Sequence, residues 1–137
     1  DDEIMMCIRP GEHGSTYGGN PLSCAVAKAA LDVIKDENLE DNAMKMGNLF
    51  RNNLEKLKEK SNLVKLIRGK GLLNAMVIND DEESSTAWNI CLKMKDNGLI
   101  AKPTHGNIIR FAPPLVINKN QVEESCNIIE KSIAEFE

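Results

Sequence analysis

The chain has 137 residues, with 17 basic and 21 acidic side chains and a formal net charge of −4. A chain of this size buries roughly 68% of its unfolded surface, enough for one domain, or for one small domain and a piece of another. The mild acidity argues against nucleic acid or an anionic membrane as the main partner, and no apolar run reaches the roughly 20 residues a membrane-crossing helix needs.

Residues 1–20 read as irregular, and residues 11–20 are rich in glycine. Asn20-Pro21 then gives an N-cap and a first helical position, where a missing N–H costs nothing. Leu22, Ala25, Val26, Ala29, Ala30 and Val33 recur at helical spacing and predict a helix over 21–35 with an alanine-built face. Leu39, Ala43, Met46, Phe50 and Leu57 predict a second helix over 39–59, with Asn38 and Asp41 as the start of a capping box. Leu63 to Arg68 and Leu72 to Ile78 read as strands separated by a break or bulge at Gly69-Lys70-Gly71. The acidic run Asp80-Asp81-Glu82-Glu83 reads as a solvated loop.

A helix over 85–97 turns Ala87, Ile90, Cys91 and Met94 inward and ends at Gly98. Leu99–Lys102 and Ile108–Phe111 form a hairpin, closed off by Pro113-Pro114 because proline cannot donate to a ladder. Residues 119–136 form the last helix, capped by Asn118 with Gln121 three positions on, and burying Val122, Cys126, Ile129 and Ile133. From about residue 38 onward the order predicts an α+β sandwich, a small sheet covered by helices. Residues 1–37 stand outside that pattern.

Cys7, Cys24, Cys91 and Cys126 form no C-x-x-C pair and read as four reduced structural thiols of an intracellular protein. With two histidines far apart, a metal site is not expected. The chain opens Asp1-Asp2-Glu3 without initiator methionine, signal peptide or transit stretch, and is expected to be the tail of a longer chain.

Two places suit chemistry. In residues 11–20 four glycines surround Ser15 and Thr16 just before a helix N-terminus, where free N–H groups, the helix dipole and two hydroxyls suit a phosphate. A tight glycine turn is the plainer reading, and the pattern is neither a Walker A loop nor G-x-G-x-x-G. Arg110 interrupts an apolar strand and must either pair with a carboxylate or face a cleft, where its fork would clamp a substrate carboxylate. Arg68-Gly69-Lys70-Gly71 suits an anion less well than a bulge. His13 and His105 read as solvated loop residues rather than general bases, and Trp88 as packing.

At these motifs a family comes into view. Glu12-His13-Gly14-Ser15-Thr16-Tyr17-Gly18-Gly19-Asn20-Pro21-Leu22 resembles the phosphate-side loop of class III (subgroup II) pyridoxal-phosphate aminotransferases. Arg68-Gly69-Lys70-Gly71-Leu72-Leu73 resembles the strand that follows in their C-terminal domain. Ala101-Lys102-Pro103-Thr104-His105-Gly106-Asn107-Ile108-Ile109-Arg110-Phe111-Ala112-Pro113-Pro114-Leu115 is similar to the ornithine-specific members of that family.

The resemblance runs over essentially the whole chain and implies an α/β architecture, the C-terminal part of a fold-type I transferase. Residues 1–37 would end the large cofactor-binding domain, and residues 38–137 would form the small α+β domain. It implies pyridoxal 5'-phosphate as cofactor and a homodimer, in which Thr16, with Ser15 beside it, reaches the cofactor phosphate of the neighbouring subunit. Arg110 would bind the α-carboxylate of 2-oxoglutarate or glutamate. The implied reaction moves the δ-amino group of L-ornithine to 2-oxoglutarate, giving L-glutamate 5-semialdehyde and glutamate.

The family's Schiff-base lysine precedes the threonine loop, whereas here the first lysine is Lys28, so the segment alone is expected to be inactive. Two other readings stay open: a class III enzyme acting on acetylornithine or another ω-amine, and a non-catalytic module for anion binding or dimerisation. The expected compartment is the cytoplasm ahead of the mitochondrial matrix.

Overall fold

The computed structural model describes residues 1–137, which divide into two compact units, Asp1–Glu37 and Asn38–Glu137. The first unit holds α1 (Asp2–Met5) and α2 (Pro21–Asp36). The short α1 departs from the irregular reading of residues 1–20. As expected, Asn20 caps α2, its side chain accepting from the Ser23 N–H at 3.2 Å, with Pro21 in the first turn. No residue of this unit is buried, and Leu22, Val26, Leu31 and Val33 of α2 all stand exposed.

The second unit runs α3 (Leu39–Lys60), β1 (Val64–Lys70), β2 (Leu73–Ile78), α4 (Thr86–Asp96), β3 (Lys102–Thr104), β4 (Ile108–Phe111) and α5 (Lys119–Ile133). Its strands form one antiparallel sheet in the order β1-β2-β4-β3. Contacts run from α3 to β1 and β2, and from α4 to β3 and β4, while α5 packs on both α3 and α4. The sheet thus has one helix-covered face and one open face, the α+β arrangement expected for residues 38–137.

Strand alternation decides which side chains meet the helices. Ile67, Met76, Ile78, Ile109 and Phe111 turn inward and join Phe50, Leu54, Ile90, Met94, Val122, Ile129 and Ile133 in one core, with the buried polar Asn74 on the same face of the sheet. Each large apolar side chain buried this way contributes about 1.5–3 kcal/mol. Phe50 of α3 meets Phe111 of β4 edge to face, with centroids 5.4 Å apart, tying helix to sheet.

Several expectations change. Gly69-Lys70-Gly71 is no bulge: the ladder runs to the pair Lys70↔Leu73 and a tight turn follows, with Gly71 at φ 53°, while the register irregularity lies between Val64 and Leu66. Asn38 adopts φ 51° and makes no side-chain cap, because a left-handed residue does not hold its side chain over the first turn. The hairpin's first strand is Lys102–Thr104 rather than Leu99–Lys102, since Leu99 and Ala101 pack against the core instead of pairing. Trp88 is 56% exposed, on the outer side of α4, rather than packed. At α5 the capping box forms in full: Gln121 N–H donates to Asn118 Oδ1 and Asn118 N–H donates to Gln121 Oε1, both at 3.0 Å.

Candidate functional site

In the first unit, Gly11 (φ 90°) and Gly19 (φ 74°) bend residues 11–20. The Ser15 hydroxyl oxygen accepts from the Gly18 N–H at 2.8 Å, which leaves its own proton free to donate. Thr16 is exposed and its hydroxyl has no partner within the chain. The loop's one acid, Glu12, accepts from the Arg9 N–H at 2.7 Å.

The helix N-terminus offers less than expected. Pro21 has no N–H, the Ser23 N–H goes to the Asn20 side chain, and the Cys24 N–H goes to the Asn20 carbonyl. Two outward hydroxyls and the Leu22 N–H remain, a donor set that fits the oxygens of a phosphate monoester.

In the second unit, register rather than sequence proximity builds the site. Arg68 pairs with Ala75, Ala75 with Arg110, and Arg110 with Lys102. These four residues form one row across the open face of the sheet. Arg68 and Arg110 stand two strand spacings apart, roughly 10 Å. Neither guanidinium lies within 4 Å of a carboxylate, and Arg110 sits directly opposite another cation, Lys102. A like-charged cross-strand pair costs a few tenths of a kcal/mol or more, up to about 1, which an anion on this face would offset.

A cavity of about 440 Å³ lies along the row, lined by Arg68, Lys70, Ala75, Thr104, His105 and Arg110 among others. No acidic residue lines it. Of the two alternatives for Arg110, the structure has the cleft and not the ion pair. A second cavity of about 400 Å³, beside Phe50, Phe111 and Pro113, has no titratable group in its lining.

Both ends of the cationic cavity are fixed. At one end, Arg51 of α3 donates to the Gly71 carbonyl and to Asn74 Oδ1, each at 2.7 Å, and to Asn48 Oδ1 at 2.6 Å. At the other, the Asn107 side chain donates to the Asp80 carbonyl at 3.0 Å, and the Ile78 N–H donates to the Asn107 carbonyl at 2.8 Å. The Asp80 carboxyl is held below the ordinary carboxylate range, chiefly by the Thr86 hydroxyl and then by the Asp81 N–H. The acidic run is therefore the seat of the hairpin tip as well as a solvated loop.

Arg68, Thr104 and His105 share the cavity with Arg110, a grouping the sequence reading missed. The pairing of β1 with β2 and of β2 with β4 brings in Arg68, and the β3–β4 pairing brings in Thr104 and His105. Burial pushes the Cys91 and Cys126 thiols up to about 11, so both are protonated and unreactive at neutral pH.

Comparison with known proteins gives a consistent picture. Residues 1–133 match the family described as aminotransferase class-III. The chain is 60% identical over 133 residues to the mitochondrial ornithine aminotransferase of Drosophila melanogaster, covering 97% of this chain and 30% of that protein. It is 57% identical over 136 residues to the mitochondrial ornithine aminotransferase of Rattus norvegicus, covering 99% and 30%. Among solved structures, the acetylornithine aminotransferase of Elizabethkingia anophelis superposes with a TM-score of 0.85 at 63% identity, over 99% of this chain and 34% of that one. The ornithine aminotransferase of Plasmodium yoelii superposes at 0.83 and 45% identity, over 100% and 36%. The chain thus spans about 30% of the length of the curated relatives it matches.

Proposed function

This chain belongs to the class III aminotransferases, a pyridoxal-phosphate-dependent family, and from that premise we propose that it is the C-terminal portion of an ornithine aminotransferase. On this reading residues 1–37 end the large cofactor-binding domain and residues 38–137 are the small domain. The parent moves the δ-amino group of L-ornithine to 2-oxoglutarate, giving L-glutamate 5-semialdehyde and glutamate. Bound pyridoxal phosphate supplies the electron sink and carries the amino group between the two half-reactions.

The residues of this chain divide the remaining work. The hydroxyls of Ser15 and Thr16 donate to the cofactor phosphate, in the active site of the neighbouring subunit of a homodimer. Arg110 grips the α-carboxylate of 2-oxoglutarate or glutamate with two parallel N–H donors. Its free guanidinium in an acid-free cavity is the observation that carries this assignment. The names of the fly and rat relatives support the mitochondrial matrix over the cytoplasm. No helix is long and apolar enough to cross a membrane.

The Elizabethkingia anophelis structure favours a second reading, acetylornithine as amino donor. The visible absorption of the full-length protein separates the two. The cofactor band should bleach on addition of L-ornithine alone and return with 2-oxoglutarate. A band that responds only to acetylornithine would keep the family and change the substrate. No band with cofactor supplied would leave a non-catalytic module.

A further inference from the structure

His105 and Asn38 are the only non-glycine residues with left-handed backbone, and His105 has φ 48°. It opens the three-residue connection His105-Gly106-Asn107 between Thr104 and Ile108, the last pair of the β3–β4 ladder. Glycine or asparagine adopts this conformation at lower cost than histidine.

The surrounding contacts impose it. Gly106, at φ 70°, approaches the segment beneath so closely that a Cβ there would overlap the Glu82 carbonyl. On the far side Asn107 is tied to Ile78 and Asp80, and its N–H donates to the His105 carbonyl at 2.8 Å. The tip can neither lift nor slide without breaking these contacts.

What this tip presents is an imidazole at the end of the Arg110 cavity. The cavity runs from Gly69 and Lys70 at one end of the sheet to Thr104 and His105 at the other. The His105 side chain is exposed and makes no hydrogen bond within the protein. The Thr104 hydroxyl likewise has no partner in the chain. Around an arginine placed for a carboxylate, this end of the cavity supplies the Thr104 hydroxyl and the His105 imidazole as hydrogen-bonding groups.

We propose that His105 is a specificity-determining residue of this cavity, donating a hydrogen bond from its imidazole to a carboxylate oxygen of the oxo acid that Arg110 holds. The inference rests on the carboxylate reading of Arg110. A left-handed histidine clamped at the mouth of an acid-free cationic cavity fits that role, since strained residues gather where a side chain must be aimed.

The test uses the full-length holoenzyme with His105→Asn and His105→Gly, both of which tolerate the left-handed backbone, beside Arg110→Lys. Loss of a hydrogen bond to a charged group should raise the KM for 2-oxoglutarate about tenfold in both His105 variants. The KM for L-ornithine should be unchanged, and the rise in melting temperature given by 2-oxoglutarate should shrink. If Arg110→Lys raises the KM for 2-oxoglutarate while both His105 variants match the parent, His105 is only a turn residue and the proposal is overturned. A parallel rise for both substrates would mean a structural role and would overturn it as well. An unchanged KM for 2-oxoglutarate in Arg110→Lys would remove the carboxylate reading and the proposal together.

Discussion

Arg110 gains its meaning from what surrounds it. On an open sheet face with no acid in its cavity, its guanidinium keeps its full hydrogen-bonding capacity for a ligand. Lysine would keep the charge and lose the planar fork, and hydrogen bonds to charged groups are worth about 1.5–3 kcal/mol each. Arg110→Lys in the full-length enzyme should therefore raise the KM for 2-oxoglutarate by about tenfold or more and leave that for L-ornithine unchanged. Equal effects on both substrates in steady-state kinetics would remove the assignment. At this scale the sequence was partly legible. Arg110 stood out because a charge on an apolar strand demands an explanation, and Ser15 and Thr16 because hydroxyls between glycines suit an anion. The grouping of Arg68 and His105 with Arg110 did not stand out, although the two read singly as bulge and loop residues. Arg68 lies 42 positions away and enters the site only through the pairing Arg68↔Ala75↔Arg110, which no local pattern records.

The joint between α3 and the β1–β2 turn shows how an element is held in place. Gly47, in the middle of α3, faces the Gly71 carbonyl so closely that a Cβ would overlap it, and Arg51 one turn on binds that same carbonyl. Gly47→Ala would gain about 1 kcal/mol of helix propensity. Against that, it would force backbone apart beside a packed core, and overpacking typically costs about 1–3 kcal/mol. The clash meets backbone, not the end of a flexible side chain, so the cost wins. Denaturant unfolding of the full-length protein should show a net loss of up to about 2 kcal/mol in the transition that contains residues 38–137. A gain would show that α3 can shift away from the turn. The helices were legible because their apolar residues recur at helical spacing, and Asn20 and Asn118 because their caps depend on neighbours in sequence. The extent of β1 and the start of β3 were not. Gly69-Lys70-Gly71 has the composition of a bulge, yet β1 runs on through Lys70, and the turn at Gly71 is held against Gly47 and Arg51 of a helix distant in sequence.

For the whole molecule, the division of burial between the two units has a direct consequence. Every buried residue lies between Leu39 and Ile133, and none lies in residues 1–37. Ordering a residue's backbone costs about 1–2 kcal/mol, and most helical stability in proteins comes from packing an apolar face rather than from propensity. The first unit therefore lacks the apolar burial that would hold it folded alone, whereas the second has a core with helix, sheet and caps in agreement. Residues 38–137 produced alone should unfold cooperatively on heating, followed by circular dichroism. Residues 1–37 as a peptide should show little helix and no cooperative transition. Residues 1–137 should melt close to residues 38–137, because the first unit contributes no buried core to the transition. If residues 38–137 alone melted without cooperativity, the boundary at Asn38 would be wrong, and part of the core's stability would have to come from residues 1–37.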